Sequence, residues 1–268
     1  QKLADDYRSK NVALVAISPN DPLAVRLDEL GYTDISDSFA EMKIRANDAT
    51  FTFPYLYDGD QQKTARAYGP TSTPHVFLFD KQRMLRYVGR IDNSEKLEKV
   101  AIHDTRNAIE ALLAGKRVPT EKTKTSGCSI KWADKRESVK SAFQEWAREE
   151  VKLESADEKG IQELARNSKS KKLRLINVWA TWCGPCVVEF PELVAVNRMY
   201  RGRDFEMITI SADSPDKKEP ALAFLKKQQA SSRNYIFQID DKYRLIEALD
   251  KDWAGSFPYT MLIAPGGK

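Results

Sequence analysis

The apolar run Leu173-Arg-Leu-Ile-Asn-Val-Trp-Ala180 leads through Thr181 straight into Trp182-Cys183-Gly184-Pro185-Cys186. A buried strand that ends in C-x-x-C and turns into a helix sets the first sulfur at the helix N-terminus. Unpaired N–H groups and a partial positive charge there favour thiolate over thiol. Cys183 is therefore the predicted nucleophile. The Gly184-Pro185 spacer puts Cys186 about one turn further on, within reach of a mixed disulfide on Cys183. Pro185 suits a first helical turn, because it needs no N–H partner there. The pattern predicts thiol–disulfide exchange: attack by Cys183, release of the reduced product by Cys186, and re-reduction of the pair from an upstream donor.

Half of a zinc site is the competing reading of two closely spaced cysteines. Zinc takes four ligands, and beyond this pair the chain offers only Cys128, His75 and His103, in distant segments. No metal is expected.

Outward from the dithiol, the second half of the chain reads as an ordered series. Pro191 falls inside the helix after Cys186 and is expected to kink it. Strand Phe205–Ser211 follows, then a helix over 219–229, strand 235–239 and a helix over 243–249. Phe257-Pro258 leads into a last strand over 259–264. The first half repeats this order. Its strand Val12–Ile17 precedes a helix over 37–47 with Ser36 as cap and Phe39, Met42 and Ile44 apolar. Phe53–Tyr57, a short helix over 61–68 closed by Gly69, and Thr73-Pro74 before His75–Phe79 come next. A turn at Asp80-Lys81, a strand over 85–91 and a long amphipathic helix over 94–113 complete it. Between the halves, 118–127 is rich in Pro, Thr and Lys and reads as linker. An exposed amphipathic helix over 138–153, with Val139, Phe143 and Trp146 on one face, and a short helix near 158–165 precede the second domain. Strand and helix alternation of this kind is a mixed α/β pattern.

Aligning Ser18 with Ser211 and carrying Cys183 back by the same distance lands upstream of Gln1. The second series stops at Gly266-Gly267-Lys268, where the first continues into a hairpin and helix. The sequence is accordingly expected to be a fragment trimmed at both ends, with a signal peptide or membrane anchor left open.

Length and composition agree with two soluble domains: 268 residues, 41% hydrophobic, 31% charged, formal net charge +4. The 43 basic and 39 acidic side chains are spread evenly, which gives no nucleic-acid footprint. No apolar stretch approaches the ~20 residues of a membrane span.

Asn177-Val-Trp-Ala-Thr-Trp-Cys-Gly-Pro-Cys186 with Glu189-Phe190-Pro191-Glu192-Leu193 resembles the TlpA-like branch of thioredoxin-fold thiol–disulfide oxidoreductases, over about 155–268. The resemblance implies an active site of Cys183, Cys186, Pro258, Glu189 and Trp182, with Gly184 and Pro185 as spacer. It implies a cis bond before Pro258, against an ordinary trans proline at a strand entry. Glu189 is read either as a proton carrier for the cysteines or as an exposed helix carboxylate. It further implies no cofactor, a disulfide-containing protein substrate, an upstream thiol donor and a bacterial periplasmic or otherwise extracytoplasmic location.

The first series resembles the redoxin or peroxiredoxin-like proteins, on Asp37–Met42, Phe53–Asp58, Thr73-Pro74 and Gly127-Cys-Ser-Ile-Lys-Trp132. That resemblance makes Pro74 the counterpart of Pro258, and makes Cys128 either partner of a cysteine outside the sequence or an idle thiol. His75 reads as a strand residue and His103 as surface or packing. The expected architecture is α/β with two thioredoxin-like domains, each a central mixed sheet flanked by helices: 1–116, a linker with helix over 117–154, and 155–268. Two functions from other classes stay open beside the reductase: a peroxidase with a built-in reductant, and a redox-regulated binding module without catalysis.

Overall fold

A computed structural model describes residues 1–30 and 37–267. Two compact units make up the chain. One holds Gln1–Val25 and the stretch that ends at Glu137; the other holds the chain from Ser138 on, with a short segment that begins at Arg26.

The first unit opens with α1 (Lys2–Arg8) and β1 (Ala16–Ser18); the one-turn helix α2 (Leu27–Leu30) belongs to the second unit. There follow α3 (Phe39–Asp48), β2 (Tyr55–Tyr57), α4 (Lys63–Tyr68), β3 (Val76–Phe79), β4 (Leu85–Gly89) and α5 (Asp104–Leu113). The cap of α3 is Ser38, whose Oγ accepts from the Glu41 N–H at 3.2 Å. Ser36, the expected cap, lies outside the described residues. Helix α4 ends as predicted on Gly69, at a left-handed φ of 64°.

Strand β1 pairs β2 in parallel and β3 pairs β4 antiparallel. Among the described residues these are two separate two-stranded pieces and not the single mixed sheet expected of this unit. No described strand of the first unit pairs with both pieces to join them into one sheet.

The long helix expected over 94–113 is also corrected. A short 3-10 turn covers Leu97–Lys99, and α5 begins only at Asp104. Asn93 causes the break: its Oδ1 accepts the Ala101 and Ile102 N–H groups at 2.9 Å each, which holds the chain in a loop. The Pro-, Thr- and Lys-rich stretch is no free linker either. Val88 N–H bonds the Glu121 carbonyl at 2.9 Å and Thr123 N–H the Val88 carbonyl at 3.0 Å, so the segment lies along the open edge of β4.

The second unit consists of α6 (Arg136–Ala147, entered at the boundary), β5 (Glu154–Ala156), α7 (Glu158–Arg166), β6 (Leu173–Trp179), α8 (Gly184–Tyr200), β7 (Phe205–Ser211), α9 (Lys218–Lys227), β8 (Arg233–Phe237), α10 (Lys242–Leu249) and β9 (Tyr259–Ile263). Its five strands form one mixed sheet in the order β5-β8-β7-β6-β9. Strands β6, β7 and β8 run parallel, and β9 runs antiparallel to β6. The interior strand β6, between β7 and β9, is buried at every position after Leu173, because helices cover both faces of the sheet. Ile161, Ile176, Val178, Ile208, Ile210 and Leu245 are completely inaccessible in one face's core. Trp179, Cys186, Phe190, Ala221 and Leu225 form the other.

Helix α6 buries Val139 and Trp146 where an exposed helix was expected. The Arg198 and Arg201 guanidinium groups lie 5.6 and 5.9 Å from the Trp146 ring, and Glu149 pairs with Arg201 at 2.6 Å. Exposed Phe143 stacks edge-on against Trp146 at 5.0 Å.

Candidate functional site

Strand β6 ends at Trp179, and four residues later Cys183 caps α8. The turn between them is closed by the Cys183 N–H on the Ala180 carbonyl at 3.1 Å. Cys183 Sγ in turn accepts the Cys186 N–H at 3.3 Å, the contact expected of a sulfur at a helix N-terminus. Gly184 and Pro185 are the first two residues of α8 and point to solvent. Cys183 and Cys186 are joined in a disulfide with Cα atoms 5.3 Å apart. Cys183 keeps 5% exposure and Cys186 has none, so the two sulfurs differ in access.

The peptide bond Phe257–Pro258 is cis, as the resemblance implied. The Trp182 ring meets Phe257 edge-on with centroids 5.4 Å apart, and Phe257 packs on Trp253 at 5.2 Å. The dithiol loop and the cis-proline loop are therefore joined by a row of aromatic rings. Trp182 stays 54% exposed, with the Lys242 ammonium 4.1 Å from its ring centre.

Glu189, one turn beyond Cys186, is half-buried. Its carboxylate accepts from Asn177 Nδ2 at 3.0 Å, and the same amide group donates to Thr260 Oγ1 at 3.0 Å. Asn177 itself is fully inaccessible on β6. A fixed hydrogen bond to a buried amide speaks against the free surface carboxylate. Asp213, just past β7, is buried too and accepts from Thr181 and Ser211. Asn177 and Asp213 escaped the sequence reading, although an Asn within Leu-Ile-Asn-Val-Trp is a visible signal, since a polar group in an all-apolar strand needs a partner. Nothing in the sequence marks Lys242.

Tyr259 follows the cis-proline and donates to Asp250 at 2.5 Å. Burial, helped by that carboxylate, pushes its phenol up to about 12. The same bond holds the Asp250 carboxyl below its ordinary range. A folded-state value above the unfolded 10.0 means that this contribution to stability is complete below pH 10 and is lost as pH rises through about 12. Ultraviolet titration of Asp250→Asn should bring the Tyr259 ionisation down towards its ordinary value; an unmoved midpoint would leave burial as its sole cause.

In the first unit the bond Thr73–Pro74 is also cis. Thr73 and Cys128 form an antiparallel bridge: Thr73 N–H to the Cys128 carbonyl at 2.9 Å, Cys128 N–H to the Thr73 carbonyl at 3.0 Å. A Cβ on Gly127 would lie 2.1 Å from the Thr73 carbonyl oxygen, so only glycine permits this approach. The segment continues to Lys131, whose N–H bonds Asn20 Oδ1 at 3.0 Å and whose carbonyl accepts from buried Gln62 at 2.8 Å. The Cys128 thiol is exposed and free. His75 accepts the Thr71 N–H on its Nδ1 at 3.1 Å, and burial pushes its pKa down. His103 precedes α5 and pairs with Asp92 at 2.8 Å, as a surface residue. Among the described residues no three His, Cys, Asp or Glu side chains gather as a metal centre would need. Nor is any described helix long and apolar enough to cross a membrane.

Residues 141–267 match the family described as Redoxin. The thiol–disulfide oxidoreductase ResA of Bacillus subtilis (strain 168) is 26% identical over 93 residues, which are 35% of this chain and 48% of that protein. The chain thus spans about half the length of that relative. A conserved protein of Geobacillus kaustophilus is 36% identical over 49% of this chain and 65% of its own, with a TM-score of 0.41. A hypothetical protein of Sinorhizobium meliloti 1021 is 33% identical over 49% and 68%, with a TM-score of 0.42.

Proposed function

We propose that the redoxin-type domain at 141–267 makes this chain a thiol–disulfide oxidoreductase that reduces disulfides through Cys183 and Cys186. The observation that carries the reading is the Cys183–Cys186 disulfide at the N-terminus of α8, with Cys183 the less buried of the two residues. In the reducing direction the Cys183 thiolate attacks a substrate disulfide and expels one substrate thiolate. Cys186 then attacks Cys183, releases the second substrate thiol and leaves the internal disulfide. Two electrons have passed to the substrate, and an upstream thiol donor must restore them. Similarity to ResA supports this chemistry, and the Gly184-Pro185 spacer supports the reducing direction.

In this reading Pro258 and Trp182 flank the nucleophile and Glu189 exchanges protons with the pair. The substrate is a disulfide-containing protein, and the site of action is extracytoplasmic in a bacterium. The first unit is a second thioredoxin-like copy, and the sequence-based boundaries at 116 and 154 divide the two copies from their connection. Cis-Pro74, the parallel β1–β2 pair and the β3–β4 hairpin support that part.

The test is a glutathione redox titration of the whole chain, in which alkylation and peptide mass follow Cys183 and Cys186 apart from Cys128. A midpoint near the roughly −270 mV of thioredoxin is expected. One near the roughly −120 mV of DsbA would reverse the direction. Failure to form the disulfide at any poise would end the reading.

A further inference from the structure

Among the described residues, Asp213 is the one buried carboxylate whose hydrogen bonds reach the dithiol loop, and nothing in the cycle above uses it. It lies two residues beyond β7 and is 3% exposed. Its Oδ1 accepts from Thr181 Oγ1 at 2.6 Å and its Oδ2 from Ser211 Oγ at 2.7 Å. Thr181 N–H reaches both oxygens, at 3.2 and 3.0 Å. All of these contacts use the carboxylate as acceptor. Beside it the Ala212 N–H bonds the Trp179 carbonyl at 2.8 Å, so the chain after β7 follows the chain after β6 up to the loop.

We propose that Asp213 is a positioning residue for Cys183: it clamps Thr181, and thereby the turn that sets the sulfur on the first turn of α8. The proposal deepens the oxidoreductase reading and rests on it for its meaning, though its measurement does not need catalysis. Cys183 has a backbone of φ −88° and ψ 99°, the extended geometry of a cap, and it can accept the Cys186 N–H only from there. Two residues upstream, Thr181 has its N–H turned to Asp213. Without Asp213, the Thr181 N–H and hydroxyl and the Ser211 hydroxyl lose their acceptor, and a buried polar group left unpaired is destabilising. The loop would move to recover those bonds, and the sulfur would leave the helix terminus that favours its thiolate.

The repeat offers an internal comparison. Asn20 stands in the first unit where Asp213 stands in the second, counted from Ser18 and Ser211. It also holds a backbone N–H, that of Lys131, at 3.0 Å. The end of this strand is thus an acceptor post for a passing segment in both units, and in the second unit the segment is the dithiol loop.

The experiment measures the pH dependence of Cys183 alkylation in the reduced full chain, with peptide mass separating Cys183 from exposed Cys128. Asp213→Ala should raise the midpoint by about one pH unit, part of the span between a helix-terminal and an ordinary thiol. Asp213→Asn keeps an oxygen for Thr181 and should stay within about half a unit of the parent. Lys242 and Glu189, the charged side chains tied to Trp182 and the β6–α8 contact, are unchanged in both variants. A purely structural role would lower the melting temperature of both variants and leave the midpoint alone. Superimposable profiles for Asp213→Ala and the parent would overturn the clamp. Should Asp213→Ala fail to fold, Thr181→Ala removes only the hydroxyl donor and should give a smaller rise; a profile equal to the parent's then overturns it. A parent chain that cannot exchange disulfides would defeat the functional reading, while the alkylation midpoints would still decide the clamp.

Discussion

Cys183→Ser is expected to lower disulfide exchange by more than about a thousandfold, as loss of a sole nucleophile does in enzymes whose groups act as a unit. A serine hydroxyl is no nucleophile towards sulfur at neutral pH. Cys186 cannot stand in, since it has no exposed surface beneath the first turn of α8. Cys186→Ser should behave differently. Cys183 can still attack, but nothing displaces the product, so a mixed disulfide on Cys183 accumulates and is seen by mass. Reduction of a model protein disulfide followed by turbidity gives the rate, and intact mass gives the trapped species. A Cys183→Ser chain that kept its rate would move the non-catalytic binding module to the front.

Trp179→Ala is expected to destabilise the second unit by about 3–5 kcal/mol, the usual cost of removing a large aromatic from a filled core. Trp179 is fully inaccessible and meets Phe190 and Phe224 with ring centroids 5.1 and 4.8 Å away. It is also the last residue of β6, so the cavity would open directly under the dithiol turn. Trp179→Phe tests the same place with the opposite expectation. The buried indole N–H has no partner. Its removal gives up no hydrogen bond, and the change should cost less than about 1.5 kcal/mol. Urea unfolding read by the loss of Cys186 protection in the reduced chain reports on this unit alone. Equal losses for the two variants would show that the N–H, not the ring volume, is what the site holds.

Much of this architecture is legible in the sequence, and the failures have specific causes. Strand β6 and the start of α8 are readable because a mostly apolar run, a C-x-x-C and a proline in the first turn all favour the same local structure. Strand β7 matches its expected limits, Phe205–Ser211. The helix expected over 94–113 fails because hydrophobic spacing cannot reveal that Asn93 will take two backbone N–H groups for itself. The stretch over 118–127 looks like linker by composition, yet β4 leaves an edge to which it can bond. At the site, both cysteines are named by motif and Pro258 by resemblance. Glu189 is named too, but the Asn177 amide that holds it comes from β6, and only the packing of α8 on that strand brings the pair together. Asp213 and Lys242 reach the loop from other elements, across separations that no local pattern encodes.

The bridge between Thr73 and Cys128 changes what the cis-proline edge of the first unit can bind. A tethered segment presents itself at an effective concentration on the order of millimolar. Any outside strand that reached for the Thr73 N–H and carbonyl would have to compete at that level, and a weak peptide ligand would lose. Phe257, before the other cis-proline, has no such rival bridged to it among the described residues. Of the two cis-proline edges, that of the first unit carries its own competitor.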